Sequence, residues 1–180
     1  MKTEFEIKKR EDVPPLVQAV FDSATKQLGF IPNMYGVIAN SEIALPRYVR
    51  AEFDRTSLST KEQEVINLVV SQVNACLYCI SFHNSYLLKL GFTEVQLMEI
   101  RKGSAGFNPR LNALVTFAKR ITEDRGHIQP DDLDIFIAAG YSKASVIDTI
   151  LLINLRGVTN YVHAALGEFE IDFPLAPPLT

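Results

Sequence analysis

The sequence predicts an all-α protein, a bundle of about seven to nine helices. No run of four or more residues alternates apolar and polar side chains cleanly enough to indicate a half-buried strand. Glycine and proline recur instead at the spacing of helix ends and helix starts. The 180 residues are 47% hydrophobic and 22% charged, an ordinary globular composition that predicts one domain over residues 1–180.

The first helix is predicted from the proline pair at 14–15 to Gly29, because apolar residues recur between them at helical spacing. A helix start is predicted at Ser59, which forms a capping box with Glu62 that overlaps a second box one residue later. This start predicts a helix over 60–73. Turn and cap signals place the other helical segments over residues 34–39, 41–55, 75–90, from 93 onward, 109–124, 130–139 and 142–165.

Two features limit where helices can form in the C-terminal third of the chain. Gly157 is a candidate break within the last helix. Pro174, Pro177 and Pro178 exclude a helix from the segment 172–180, because proline lacks the backbone N–H that a helix needs. We expect this proline-rich tail to lie along the surface or along a partner subunit.

Charge and hydropathy exclude several classes of partner. The net charge is −3, and lysine and arginine are scattered between acids, so no electrostatic footprint for nucleic acid is present. The start of the chain has no apolar signal region, which predicts a cytoplasmic protein. The most apolar stretch, 146–158, contains polar residues and falls short of the roughly 20 apolar residues of a membrane span, so we interpret it as a buried helix without a membrane partner.

No Gly-rich phosphate loop follows a strand, so no nucleotide cofactor is expected. Apolar residues are in surplus on the last helices, and together with the tail they predict a homo-oligomer.

The chemistry-bearing residues lie in the segment Cys76-Leu-Tyr-Cys79-Ile-Ser-Phe-His83. The chain has only two cysteines, three positions apart, and a lone C-x-x-C inside a reducing compartment is typical of redox cycling or metal binding. On a helix, Cys79 and His83 lie near 300° and 340° when Cys76 is set at zero, so one face carries all three. His83 is one turn from Cys79 and is therefore its natural proton partner.

A peroxide cycle fits this pattern. One thiolate attacks the peroxide oxygen and becomes a sulfenic acid, and a second sulfur condenses with it to a disulfide before further oxidation. The positive end of the helix favours the thiolate of Cys76, whereas the imidazole of His83 favours that of Cys79. We predict Cys79 as the attacking sulfur and Cys76 as the resolving one.

Glu64 extends the motif to Glu-x11-Cys-x2-Cys-x3-His. This pattern resembles the signature of the alkylhydroperoxidase D and carboxymuconolactone decarboxylase superfamily. Further segments resemble its peroxidase-related branch, so that the likeness covers nearly the whole chain; they are 29–34, 58–62, 160–161 and 171–174.

The resemblance implies an AhpD-like helical fold, trimers or hexamers, and an antioxidant oxidoreductase. It implies reduction of small organic hydroperoxides, with a dithiol protein or small thiol as electron donor. Cys76 and Cys79 would be the redox pair, His83 the proton relay and Glu64 the carboxylate that polarises the histidine. Tyr78 departs from the pattern, because founding alkylhydroperoxidases carry a second histidine there. A tyrosine titrates near pH 10 and shuttles protons less freely, which predicts a weaker peroxidase or another substrate.

Several alternatives stay open. The cysteines are also compatible with an inert buried pair, or with a structural zinc site that has His83 as a third ligand in a non-catalytic oligomer. Periodicity turns Glu64 away from the apolar stripe of its helix, beside Asn67 and Ser71, which equally predicts a solvated side chain. A decarboxylase-type enzyme would use Glu64 and His83 for acid-base catalysis without redox change.

The two remaining histidines are interpreted without chemistry. His127 follows a glycine in a loop and is predicted to be exposed. His163 lies on the last helix and is predicted to be a hydrogen-bonded core or interface histidine.

Overall fold

A computed structural model of the chain describes residues 5–166 and 169–179. In these two ranges the backbone forms no strand, one 3₁₀ turn at Arg10–Asp12 and nine α-helices, which confirms the all-α prediction. The helices are α1 (Pro15–Leu28), α2 (Asn33–Ile38), α3 (Ala44–Glu52), α4 (Thr60–Val73), α5 (Leu77–Lys89), α6 (Glu94–Lys102), α7 (Pro109–Glu123), α8 (Pro130–Ala138) and α9 (Lys143–Leu166).

The strongest helix signals fall where they were predicted. Helix α1 ends at Gly29, whose φ of 89° is the left-handed conformation that glycine adopts without steric cost. Helix α4 begins after Ser59, whose backbone N–H donates to Glu62 Oε2 at 2.8 Å in the predicted capping box. A second capping box joins Thr93 to Gln96 at the start of α6.

Three helices differ from the prediction. Helix α3 begins at Ala44 and ends at Glu52, although Ser41 Oγ still accepts a hydrogen bond from the Ala44 N–H at 3.2 Å. Helix α5 begins at Leu77 rather than at residue 75, for a reason given with the site below. Helix α9 continues through Gly157 without a break, because an interior glycine costs only about 1 kcal/mol, which the packing of its buried helical neighbours offsets.

The described residues form two compact units. One comprises residues of Met1–Asp54 and Tyr161–Asp172, and the other comprises residues of Arg55–Asn160 and Phe173–Thr180. In the first unit, α1 packs against α3 and against the 3₁₀ turn. The Asn33 N–H donates to Asp172 Oδ2 at 2.8 Å. The single-domain prediction stays a prediction.

Helix α4 is the central element of the second unit, where it packs against α5, α6 and α7. Every residue from Val65 to Ser71 is buried, so α4 is enclosed on all sides over two turns. Each fully buried valine, leucine or isoleucine side chain stabilises the fold by about 1.5–3 kcal/mol relative to an exposed one. The same packing shields the polar side of α4 from solvent. This side carries Glu64, Asn67 and Ser71, which belong to the site described below.

The tail of the second unit has no helix over residues 173–179, as its prolines predict. It is held to the helices by two hydrogen bonds. The Ala176 N–H donates to Ser81 Oγ on α5 at 3.1 Å, and Arg101 Nη1 on α6 donates to the Pro177 carbonyl at 2.7 Å.

Within the described ranges, none of the helices is individually long and apolar enough to cross a membrane. Helices α8 and α9 meet the length and composition criteria only when taken as a pair, and a bend of 115° separates them.

Candidate functional site

The junction between α4 and α5 places the first cysteine. Ala75 has a φ of 54°, a left-handed conformation that costs a residue with a side chain about 1–2 kcal/mol. This turn lets the Cys76 N–H reach back to the Ser71 carbonyl at 3.0 Å, a bond that closes the end of α4. Cys76 is therefore the extended residue that precedes α5, with φ −85° and ψ 95°, and the predicted helical position for it is wrong.

Ala75→Gly is expected to stabilise the protein by about 0.5–1 kcal/mol, since glycine adopts this φ without a steric penalty. Urea unfolding followed by circular dichroism measures the change. An unchanged or lower midpoint would show that the Ala75 conformation stores no strain. The control is Ala138→Gly at the end of α8, which has an ordinary helical conformation and should lose stability.

The two thiols lie together in the interior of the second unit. Cys76 and Cys79 are free, and each is 3% exposed. Cys79 belongs to the first turn of α5, where backbone N–H groups favour a negative charge. Its sulfur donates a hydrogen bond to Thr159 Oγ1 on α9 at 3.7 Å.

The surroundings of the two sulfurs make them chemically unequal. The hydrogen bond with Cys76 lowers the pKa of Cys79, and the charges of Arg156 and His83 contribute in the same direction against the effect of burial. The same hydrogen bond, together with burial, raises the pKa of Cys76 well above its ordinary value. Cys79 is thus the more readily ionised thiol of the pair.

Glu64 and His83 form a short hydrogen bond between α4 and α5. Glu64 Oε2 lies 2.6 Å from His83 Nδ1, and the two side chains are 15% and 1% exposed. Burial alone raises the pKa of Glu64, but the charge and hydrogen bond of His83, with the charge of Arg156, hold it below its ordinary value. The interpretation of Glu64 as a solvated glutamate is therefore wrong, because the stripe it shares with Asn67 and Ser71 faces protein.

The second ring nitrogen of His83, Nε2, is not bonded to Glu64. Since Nδ1 is occupied by Glu64, Nε2 is the atom that can exchange a proton with a thiol or a substrate. This buried Nε2 has no hydrogen-bond partner among residues 5–166 and 169–179. His83 and Cys79 lie one turn apart as predicted, but in the described residues no hydrogen bond joins His83 Nε2 to the Cys79 sulfur.

Arg156 and Thr159 on α9 are site residues that the sequence analysis did not identify. Arg156 is 5% exposed, and its guanidinium donates to Asn67 Oδ1 at 3.2 Å and to Thr159 Oγ1 at 3.1 Å. The available signal was an arginine within the most apolar stretch of the chain, because a buried charge requires partners. That stretch was interpreted as a buried helix and not a membrane span, and no partner was assigned to its arginine.

An amide network surrounds the other cysteine. Asn160 donates to Ser71 Oγ at 3.2 Å and accepts from Asn74 Nδ2 at 2.9 Å. Asn160 also hydrogen-bonds Cys76. Residues 159 and 160 follow residue 156 by three and four positions, so one side of α9 supplies all of these contacts.

Aromatic rings form the boundary of the site on the side of α5. The Phe82 ring is T-shaped to the His83 ring at 4.9 Å between centroids. Phe173 of the tail contacts both Phe82, at 4.9 Å, and the buried Tyr78, at 5.5 Å. This boundary is apolar, which favours an organic substrate over a highly charged one.

The remaining histidines lie where their interpretations place them. His127 is exposed, and His163 is buried with its ring 4.9 Å from that of Phe169. In the described part of the chain, no group of three or more histidine, cysteine or acidic side chains is arranged to hold a metal ion.

Comparisons with known proteins give matches in sequence and in fold. Residues 43–120 match the carboxymuconolactone decarboxylase family. The uncharacterized protein YdfG of Bacillus subtilis (strain 168) is 27% identical over 115 residues, which are 63% of this chain and 78% of that protein.

Solved structures resemble the chain over nearly its whole length. An uncharacterized peroxidase-related protein from Ralstonia eutropha JMP134, with an alkylhydroperoxidase AhpD core, has a TM-score of 0.83 at 17% identity and 95% coverage of both chains. A cysteine-to-alanine variant of the debrominase Bmp8, in complex with 2,3,4-tribromopyrrole, has a TM-score of 0.79 at 20% identity, covering 96% of this chain and 93% of that one. These findings confirm the predicted resemblance to the superfamily and the AhpD-like fold.

Proposed function

We propose that this chain, which has the AhpD-like fold and matches the carboxymuconolactone decarboxylase family over residues 43–120, is a thiol-dependent peroxidase that reduces small organic hydroperoxides. One observation carries the proposal. Two reduced, adjacent thiols of opposite pKa shift lie in the same interior site as a hydrogen-bonded carboxylate and imidazole. A stable thiolate, a nearby protonated thiol and a proton carrier are the three parts that such a cycle requires.

The proposed cycle begins with the Cys79 thiolate, which attacks the outer oxygen of the hydroperoxide. The O–O bond breaks, the alkoxide takes a proton and leaves as an alcohol, and Cys79 becomes a sulfenic acid. Cys76 then attacks that sulfur, a disulfide forms, and the sulfenic oxygen leaves as water. A dithiol donor restores both thiols, so the net change is one hydroperoxide reduced to alcohol and water for each donor dithiol oxidised.

His83 and Glu64 manage the protons in this scheme. Cys79 gives up its proton, the leaving alkoxide takes one up, and His83 Nε2 is the buried basic atom free to carry it. Glu64 holds the other ring nitrogen at 2.6 Å, which fixes the ring orientation and stabilises the imidazolium. General acid-base catalysis of this type contributes about 10²–10⁴-fold to a rate.

The cellular setting follows from this chemistry. A dithiol protein or a small thiol is the proposed electron donor, and a reducing cytoplasm is the proposed compartment, since a disulfide cycle needs a source of electrons. We also propose a homo-oligomer, on account of the exposed apolar side chains of α9, among them Ile147, Leu151 and Tyr161.

Turnover with a defined substrate tests the proposal. The purified protein should consume cumene hydroperoxide in the presence of dithiothreitol or dihydrolipoamide. A double Cys76→Ser, Cys79→Ser variant serves as the matched control, because serine preserves the size and hydrogen bonding of each site without redox chemistry. Equal peroxide consumption by the two proteins, after subtraction of the donor-only rate, would rule out the proposed function.

A second candidate follows from the debrominase Bmp8, whose fold is similar. A thiolate that attacks oxygen in a hydroperoxide can also attack bromine in a bromopyrrole. With Cys76 closing the disulfide, the balanced result is the debrominated ring, bromide with a proton, and one disulfide. Bromide release from 2,3,4-tribromopyrrole in the dithiol-driven assay, without hydroperoxide consumption, would favour this reaction.

The match to the carboxymuconolactone decarboxylase family favours a third candidate, an acid-base reaction by Glu64 and His83. Such a reaction leaves the thiols reduced. Decarboxylation of a lactone acid by the double serine variant would identify it, since that variant lacks both sulfurs and keeps the carboxylate and imidazole.

A further inference from the structure

We propose that Thr159, held in place by Arg156, is the positioning residue that donates a hydrogen bond to the ionised sulfur of Cys79 and thereby makes Cys79 the attacking cysteine. The inference rests on the proposed redox function of the two cysteines for its biological meaning. The underlying structural claim concerns one hydroxyl and one sulfur, and it is testable without a substrate.

The hydrogen bonds of Thr159 define the arrangement. Its Oγ1 accepts from Arg156 Nη1 at 3.1 Å and from the Cys79 sulfur at 3.7 Å. The same oxygen donates its one hydrogen to the Arg156 carbonyl, also at 3.1 Å. A hydroxyl has one donor and two acceptor positions, so all three are in use while Cys79 is protonated.

Ionisation of Cys79 changes which groups donate and which accept hydrogen bonds at Thr159 Oγ1. The sulfur loses its hydrogen and becomes an acceptor, and the Thr159 hydroxyl is the group already in contact with it that has a rotatable hydrogen. The hydroxyl hydrogen can rotate from the Arg156 carbonyl to the sulfur without leaving that carbonyl unpaired. The carbonyl lies inside α9, where it also accepts the helical hydrogen bond from the backbone N–H of residue 160. Arg156 keeps its own bond to Oγ1 and so polarises the hydroxyl towards donation.

Burial makes this contact strong. Thr159 is 2% exposed and Arg156 is 5% exposed, so water competes little for either group. Hydrogen bonds to a charged partner are about twice as strong as those between neutral groups. The charged and titratable groups around Cys79 are Glu64 from α4, Cys76 and His83 from the junction and α5, and Arg156 from α9.

Cys76 also has a hydrogen-bonding neighbour on α9, the amide of Asn160, which acts to lower the pKa of Cys76. The amide nitrogen of Asn160 donates to Ser71 as well, and its oxygen accepts from Asn74. Asn160 is also a neutral amide without a bond from a cation in this network, whereas Thr159 receives one from Arg156. The two sulfurs therefore differ in their other hydrogen-bond partners, in addition to the hydrogen bond that joins them.

A purely structural role for Thr159 predicts a different behaviour. Threonine in a helix commonly satisfies its hydroxyl on a carbonyl three or four residues earlier, as the bond to the Arg156 carbonyl does here. In that case, removal of the hydroxyl would alter stability and leave the ionisation of Cys79 unchanged.

Thiolate absorbance at 240 nm separates the two roles in a Cys76→Ser background, where Cys79 is the only cysteine. The thiolate forms as pH rises through the pKa of Cys79, so loss of a thiolate hydrogen bond moves the curve to higher pH. Thr159→Val should shift the midpoint upward by about one pH unit or more, and Thr159→Ser should return it to the parent value. Thr159→Ala repeats the test should the valine variant fold poorly.

Thr149→Val is the matched control, because Thr149 is another fully buried threonine of α9 whose hydroxyl has no hydrogen-bond partner in the described residues. Its midpoint should equal that of the parent. An unchanged midpoint in Thr159→Val, or an equal shift in Thr149→Val, would overturn the inference. A shift specific to Thr159 in a protein without peroxide turnover would uphold the inference and reject the proposed function, so the two failures are distinguishable.

Discussion

Replacing Cys79 with serine is expected to abolish hydroperoxide reduction, with a loss of at least about 10³-fold in kcat/KM, because removal of an attacking nucleophile removes the whole covalent route. Serine is close in size to cysteine, and both the N–H contacts of the first turn of α5 and the hydroxyl of Thr159 remain in place. Circular dichroism should therefore be unchanged. Turnover of cumene hydroperoxide with dithiothreitol measures the effect.

The matched control is Cys76→Ser, which should behave differently at the first step. Cys79 remains able to attack one equivalent of peroxide, and the sulfenic acid that forms persists because the resolving sulfur is missing. Dimedone labelling of Cys79, detected by mass spectrometry, should rise in this variant and be absent from Cys79→Ser. Dimedone labelling of Cys76 instead would reverse the assigned order of the two cysteines.

Glu64→Gln is expected to give the second largest effect, a decrease of about 10²-fold in kcat/KM. Glutamine preserves the shape of the side chain, but it removes the negative charge that lies 2.6 Å from His83 Nδ1. A neutral amide neither stabilises an imidazolium nor fixes the tautomer that leaves Nε2 free. Turnover measured from pH 5 to pH 9 should show the loss.

Glu123→Gln is the control for a change of net charge alone, since Glu123 is half-exposed and its ion pair with Lys119, at 3.7 Å, lies at the surface. Its turnover should equal that of the unaltered protein. A Glu64→Gln variant with unaltered turnover would show that the carboxylate has a structural role only.

Local signals in the sequence predicted most of the fold. Helix starts and ends depend on a few neighbouring residues, and so the capping box at Ser59, the helix start at Thr93 and the end of α1 at Gly29 were predicted where they occur. The shift at α5 has a different origin. Ala75 adopts a left-handed conformation that no local residue preference indicates, since glycine or asparagine is the usual residue there.

The relative placement of residues within one short segment could be predicted from the sequence, whereas the placement of residues from different helices could not. Cys79 and His83 are one turn apart on α5, so helical geometry alone placed them near each other. Glu64 lies on a polar stripe of α4, and periodicity within one helix gives no information on whether such a stripe faces water or another helix. Only the resemblance recommended it, and the 2.6 Å contact to His83 shows which surface it faces.

Arg156 and Thr159 show most clearly which site residues could not be predicted from the sequence. Their importance depends on the packing of α9 beside α4 and α5, a long-range arrangement that the motif at Cys76 does not encode. A buried arginine is costly unless its charge is paired or hydrogen-bonded, and the energetic reason for its presence is visible only when Asn67 and Thr159 are seen as its partners.

The central claim is that Cys76 and Cys79 exchange electrons with a hydroperoxide as a pair. The most direct test adds one equivalent of cumene hydroperoxide to the reduced protein in the absence of any donor, followed by thiol titration and intact mass measurement. We predict that both free thiols disappear together, that the mass falls by that of two hydrogen atoms, and that dithiothreitol restores both values. Two thiols that remain titratable after peroxide addition, with an unaltered mass, would contradict the claim.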